Sequence, residues 1–104
     1  LTNLNYEIES WSGSSAYVTV REAGKLIGFG RLLTDGATLA YINNMAVAPQ
    51  YQSQGIGQMI LEKLIEIAGD ANSIFLYTNT ADKFYLRHGF QPSEKRLYIL
   101  RKRA

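Results

Sequence analysis

The sequence predicts a single α/β (α+β) domain with a mixed β-sheet flanked by helices, and three observations carry that reading. Extended apolar runs fill the first half of the chain. One stretch with helical periodicity then interrupts them, and a short apolar strand signal follows it. A strand, a crossover helix and a strand in succession favour parallel pairing, while the earlier runs are joined by turns short enough for hairpins. The 104 residues are within the ordinary size of one domain, so residues 1–104 are read as one unit.

Tyr17 to Val20 is a β-branched and aromatic run, and Lys25 to Leu33 is a second. Glu22, Ala23 and Gly24 between them read as a hairpin turn. Gly28 and Gly30 weaken the second run as an isolated strand and imply a bend or close packing of another backbone. Asp35-Gly36 marks the next turn. Leu39 to Val47 is a third strand, closed by Pro49, which biases Ala48 away from helical geometry. Ahead of all three, Tyr6, Ile8 and Trp11 are expected to pack as a short strand. For Trp11, core or edge packing is favoured over contact with a substrate.

From Ile56 the period changes. Ile56, Ile60, Leu61, Leu64, Ile65 and Ala68 share one helical face, Gln58, Glu62, Lys63 and Glu66 the other, and Gly69 is a natural stop. Ile74 to Tyr77 is a compact apolar strand, Asp82 to Arg87 a short helix closed by Gly89, and Leu97 to Leu100 a final buried strand. The expected order is therefore β-β-β-α-β-α-β.

Composition removes several function classes. The absence of cysteine excludes a disulfide scaffold, thiolate metal sites and a cysteine nucleophile, and no metal is expected. The apolar runs are far shorter than the ~18 residues of a membrane span, and no charged-then-apolar leader opens the chain, so a cytoplasmic setting without a membrane partner is the expectation. The net charge of +2 is unevenly placed. Lys95, Arg96, Arg101, Lys102 and Arg103 face only Glu94, and the rest of the chain has 6 basic against 8 acidic residues. Burial of Leu97 to Leu100 would leave too few free charges to track a nucleic-acid groove, so no nucleic-acid partner is expected.

The stretch from Val47 to Gly57 is a strand feeding through a glycine-containing loop into the amphipathic helix. The first N–H groups of a helix lack internal acceptors, the macrodipole adds partial positive charge there, and glycine lets an anion approach. Two glycines of purely conformational use are the competing explanation. A Walker loop is excluded because Gln58 and Met59 follow Gly57, and a dinucleotide fingerprint because Ile60 stands where a third small residue is needed.

Gln52-x-x-Gly55-x-Gly57, preceded by Met45-x-Val47-x-Pro49, resembles the acyl-coenzyme A signature of the GNAT family of N-acetyltransferases. Ala81-x-x-Phe84-Tyr85-x-Arg87-x-Gly89-Phe90 is similar to that family's second signature. The two stand in the family's order, and the likeness runs from about Tyr17 onward. It implies a sheet splayed at its centre and an acetyl-coenzyme A dependent transfer from thioester to a primary amine, on a small molecule or a peptide, without a covalent enzyme intermediate. It implies that Gln52, Ser53, Gln54, Gly55, Ile56, Gly57 and Gln58 hold the pyrophosphate through backbone N–H groups. The pantetheine arm would lie beside Met45, Ala46 and Val47, with the strand from Ile74 across the gap and an N–H near Met45 polarising the thioester carbonyl. Phe84 is implied at the cofactor side, although core packing suits it better.

Tyr85 matches the family's general acid. A phenol of pKa about 10 is protonated at neutral pH, and full transfer to a thiolate whose acid has pKa of about 8.5 is uphill by only ~2 kcal/mol. Either Thr78 or Asn79 would bond the pantetheine amide, and either Arg87 or the Lys95-Arg96 pair the 3′-phosphate.

Several positions depart from the family pattern. Gln52 stands where many members have Arg. Asn43-Asn44 occupies a site often acidic, and an amide cannot accept a proton from an ammonium. His88, Glu22 and Asp35 are then the titratable candidates for a base, with a capping or surface role favoured for His88 and water an alternative to all three. The region before Tyr17 is short, which fits either a trimmed form of a longer chain or a compact variant that lacks the usual N-terminal strand and helices. These departures keep open a non-catalytic acyl-coenzyme A binding sensor or subunit, and strand edges leave room for a homodimer.

Overall fold

The computed structural model describes residues 4–11 and 15–103, residues 9–11 by their backbone alone. Five strands form one sheet in chain order: β1 (Leu4–Trp11), β2 (Ser15–Glu22), β3 (Lys25–Thr34), β4 (Leu39–Val47) and β5 (Ser73–Leu76). The first four are antiparallel to their neighbours, and β5 lies parallel to β4. The helix α1 (Ile56–Ala68) makes the crossover between β4 and β5, and α2 (Asp82–Arg87) follows β5. The mixed α+β architecture read from the sequence is the one observed.

Local chemistry accounts for the turns. Ala23 and Gly24 both have positive φ, 49° and 83°, as a two-residue hairpin with the twist of its strands requires. At the β3–β4 turn the Asp35 carboxylate accepts N–H groups from Ala37, Thr38 and Leu39 and the Thr38 hydroxyl. The expected short strand at the start is a full eight residues, paired with β2 from Leu4↔Glu22 to Trp11↔Ser15. The Trp11 side chain, and with it the choice between packing and substrate contact, lies outside the described residues.

One face of the sheet buries Val18, Val20, Leu32, Ala40 and Ile42 against Ile56, Ile60, Leu61, Leu64 and Ala68 of α1. The buried stripe leaves Ile65 on its rim at 38% exposure, a correction to the expected apolar face. The helix sits close to β3 because of the strand's glycines. A Cβ on Gly30 would stand 2.6 Å from Ile60 Cγ2 and 2.8 Å from Leu64 Cδ1, both on fully buried side chains with no room to retreat.

The segment after α2 overturns an expectation. Residues 91–103 form no strand and are exposed throughout, with Leu97, Tyr98, Ile99 and Leu100 at 55, 84, 57 and 86% exposure. A β-branched or aromatic run becomes a strand only when an edge accepts it, and among the described residues the outer edge of β5 takes no partner. Exposure of this run leaves its flanking basic residues free, so burial gives no ground for excluding a nucleic-acid partner. Among the described residues no helix is long and apolar enough to cross a membrane, and no cluster of His, Asp and Glu could hold a metal ion.

Candidate functional site

The site begins where β4 loses one neighbour. Pairing with β5 runs from Leu39↔Ser73 to Ile42↔Leu76 and stops, while β4 continues to Val47 against β3. The β3–β4 register shifts at the same level, leaving Asn43 without a partner between Leu32↔Ile42 and Arg31↔Asn44. Such a bulge bends and re-aims the strand that carries it. The Asn pair thus stands just past the end of the β5 ladder, with Asn44 exposed opposite Arg31.

The ladder also decides which peptide groups face the gap. Ala48 N–H donates to the Ile27 carbonyl at 2.8 Å, just past the Gly28↔Val47 pair. Antiparallel alternation then turns the N–H and C=O of Ala46 toward β3 and those of Met45 and Val47 toward the gap. Of the three residues expected to flank an extended ligand, Met45 and Val47 present polar groups to it and Ala46 does not. The Val47 carbonyl is already taken, since Gln52 Nε2 donates to it at 3.0 Å.

The loop is held by its own side chains. A 3-10 turn spans Pro49–Tyr51. Gln54 Nε2 donates to the Gln50 carbonyl at 3.2 Å, and the Tyr51 hydroxyl donates to Glu22 Oε1 at 2.8 Å, tying the loop to the end of β2. That bond raises the Tyr51 pKa, and it occupies the Glu22 carboxylate. Gln58 turns back to Glu62 at 2.9 Å. What the loop offers is backbone. Met59 N–H closes the first helical bond onto the Gly55 carbonyl at 3.1 Å, no side chain caps the helix and no acidic residue lies in its first turn. The N–H groups of Ile56, Gly57 and Gln58 therefore have no acceptor within the helix.

The two glycines have different causes. Gly55 has φ of 87° with open space around its missing Cβ, so conformation alone calls for glycine. Gly57 lies within α1, and a Cβ there would meet the Phe84 ring at 3.5 Å, an ordinary contact. Neither a positive φ nor packing demands glycine at Gly57.

From the other side, α2 brings Tyr85. Thr78 Oγ1 accepts the Ala81 N–H at 3.0 Å and so shapes the entry to the helix. Tyr85 packs edge-on to Phe84 and Phe90, with centroids 5.1 and 5.6 Å away. Its hydroxyl points to Met45 Sδ at 3.8 Å, across 40 residues of sequence. Burial pushes the phenol pKa above its ordinary 10.0, so the group holds its proton at neutral pH. Asn79, Phe84 and Arg87 line one open cavity of about 510 Å³ beside α2, together with Lys83. Lys83 was not singled out from sequence, though its spacing of four from Arg87 places both on one side of the helix.

The candidate bases are committed elsewhere. Asp35 closes its turn, where the Thr38 hydroxyl and three backbone N–H groups hold its carboxyl well below the usual range. His88 Nδ1 lies 2.7 Å from the Phe84 carbonyl at the end of α2, the capping role expected of it. Lys95 and Arg96 are exposed in the segment beyond α2.

A family model described as an acetyltransferase (GNAT) domain matches residues 12–92. A chloroplastic GCN5-related N-acetyltransferase 2 of Arabidopsis thaliana is 37% identical over 70 residues, 64% of this chain and 27% of that protein. An amino-acid acetyltransferase of Mycobacterium tuberculosis is 33% identical over 72 residues, 68% of this chain and 41% of the relative. The chain thus spans about a quarter to two fifths of these relatives. Among solved structures, an acetyltransferase from Deinococcus radiodurans R1 shares the fold with TM-score 0.83 at 19% identity, over 97% of this chain and 90% of the other. An aminoglycoside N-acetyltransferase in complex with CoA shares it with TM-score 0.74 at 13% identity, over 88% and 69%.

Proposed function

The chain belongs to the GNAT acetyltransferase family, and on that premise we propose that it transfers an acetyl group from acetyl-coenzyme A directly to a primary amine. The thioester supplies the activated acyl group, and the protein supplies alignment, anion binding and a proton. Helix α1 meets the pyrophosphate with the uncapped N–H groups of Ile56, Gly57 and Gln58, where the helix dipole adds to the attraction. Met45 and Val47 line the pantetheine arm with gap-facing peptide groups, and the Met45 N–H donates toward the carbonyl oxygen that gains charge. Tyr85 holds a proton for the departing thiolate. Lys83 and Arg87 place two positive charges by the cavity next to α2, against one carboxylate from Asp82.

The observation that carries this reading is that the Tyr85 hydroxyl lies against the Met45 sulfur where β4 runs on past β5, on a residue whose N–H faces the same gap. The test is to supply acetyl-coenzyme A with a panel of amines and follow thiol release, which a cysteine-free protein does not obscure. Amine-dependent release is expected. Its absence with every acceptor, despite coenzyme binding, contradicts the proposal.

One observation favours a second reading, a non-catalytic acyl-coenzyme A binding module. Glu22, Asp35 and His88 are all engaged away from the gap, so none of these candidate bases attends the acceptor amine. Calorimetry separates the two, since tight coenzyme binding without turnover supports the module.

A further inference from the structure

The gap beside β4 has a helix-covered side and an opposite side, and from what lines the latter we infer that Arg31 selects the acceptor, an amine that carries a carboxylate a few bonds away. The inference rests on the acetyl transfer proposed above.

The covered side is filled. Gly30 faces α1, its β4 partner Met45 points the same way, and there the Met45 methyl and the Phe84 ring lie against Gly57 while the Tyr85 hydroxyl meets the Met45 sulfur. With coenzyme in the gap, the amine is left the opposite face of the sheet. Strand alternation puts Tyr17, Arg31 and Tyr41 on that face, since Val18, Leu32 and Ile42 are buried under α1. Register sets Tyr17, Arg31 and Asn44 side by side across three strands. Asn44 is exposed and directly precedes Met45.

Arg31 is fixed there and has no anion. Its guanidinium carbon lies 5.5 Å from the centre of the Tyr17 ring, while its Nε is covered and without a hydrogen-bond partner. Among the described residues the one ion pair joins Lys63 to Glu66, so no carboxylate of theirs neutralises Arg31. On the N-terminal strand, Glu7 pairs with Thr19 and Glu9 with Tyr17, each two strands away from β3. A shielded guanidinium without an anion is costly, and the terminal nitrogens of its fork match a carboxylate through two parallel hydrogen bonds. Opposed Cα atoms of an antiparallel pair are about 4.5–5.5 Å apart, so a carboxylate held above Asn44 stands a few bonds from an amine at the thioester.

One cation suits a monoanion better than a phosphate, and the same charge repels a polyamine. The far wall is aromatic. Tyr77 follows the last residue of β5 and is exposed, with its ring 5.7 Å from that of Tyr41. A cation facing an aromatic wall suits an amino acid with an apolar side chain. In the transfer, the amine nitrogen bonds the acyl carbon as the C–S bond breaks. Tyr85 protonates the departing thiolate, and the proton shed by nitrogen passes to water, from which the phenol recovers its own.

The test compares apolar amino acids with their amides and with spermidine as acceptors, for the unsubstituted chain, Arg31→Gln and Arg31→Lys. By thiol release, the acids should have a KM about 10- to 100-fold below that of their amides. That ratio should collapse in Arg31→Gln and recover only in part in Arg31→Lys, with kcat moving far less. Binding is read separately, by adding the same acids to the ¹⁵N-labelled chain loaded with coenzyme A and following the Arg31 Nε–H signal, which burial protects from exchange. A shift of that signal by acids and not amides, without thiol release, would keep the role of Arg31 and remove the transfer. Release with no preference for acid over amide would overturn the inference and leave the transfer standing. Neither shift nor release would overturn it as well, as would an Arg31→Gln chain that melts lower with its acid-to-amide ratio unmoved.

Discussion

Along β4, Leu39–Ile42 has a strand on both edges, whereas Asn43–Val47 keeps β3 and, among the described residues, has no strand on the other side. The first half is structural in every respect: Ala40 and Ile42 are buried, Tyr41 stacks across to β5, and the Asp35 turn secures its start. The second half, one bulge later, carries the gap-facing peptide groups of Met45 and Val47 and meets Tyr85. The same backbone that completes a sheet in one half offers a ligand an edge in the other. The proposed binding chemistry rests on an unfinished ladder, with α1 supplying an equally unfinished helix end.

Substitutions in the two halves should separate catalysis from stability. The largest effect is expected from Tyr85→Phe, a fall in kcat of about 10²–10⁴ with little change in KM for acetyl-coenzyme A. The fold should scarcely respond, since the lost hydroxyl has only a weak sulfur partner. Burial raises the phenol pKa, so loss of rate through its deprotonation should come at higher pH than for an exposed tyrosine. Ile42→Ala should do the reverse, lowering stability by about 2–5 kcal/mol in denaturant titration while the folded fraction keeps its turnover.

The sequence made much of this division legible, and its limits have physical causes. Turns and helix ends were readable because Ala23-Gly24, Asp35-Gly36, Pro49 and Gly69 act locally. Leu97–Leu100 was misread because a strand is a property of two partners, and composition reports on one. The unequal roles of Met45, Ala46 and Val47 depend on ladder phase after a bulge, which no motif encodes. Glu22 and Tyr51 meet across 29 positions, and Gln52 turns inward to Val47 in a way its identity alone does not reveal.

Smaller effects sharpen the comparison. Gly57→Ala should leave stability unchanged or raise it by roughly 0.5–1 kcal/mol, yet weaken coenzyme binding about tenfold, equivalent to ~1.4 kcal/mol. Gly55→Ala should instead destabilise by about 1–2 kcal/mol through its positive φ. Thermal melts and calorimetry check both. Gln52→Ala, which frees the Val47 carbonyl, should cost about 0.5–1.5 kcal/mol of stability in the same melts.

The central claim, that the gap edge of β4 and the start of α1 form one coenzyme site, is tested most directly by titrating the ¹⁵N-labelled chain with coenzyme A and following each amide. The largest shifts are expected at Met45, Val47, Ile56, Gly57 and Gln58, with Ala46, turned toward β3, moving far less than either strand neighbour. Equal shifts at Met45, Ala46 and Val47, or largest shifts at β1 or along residues 91–103, would contradict it.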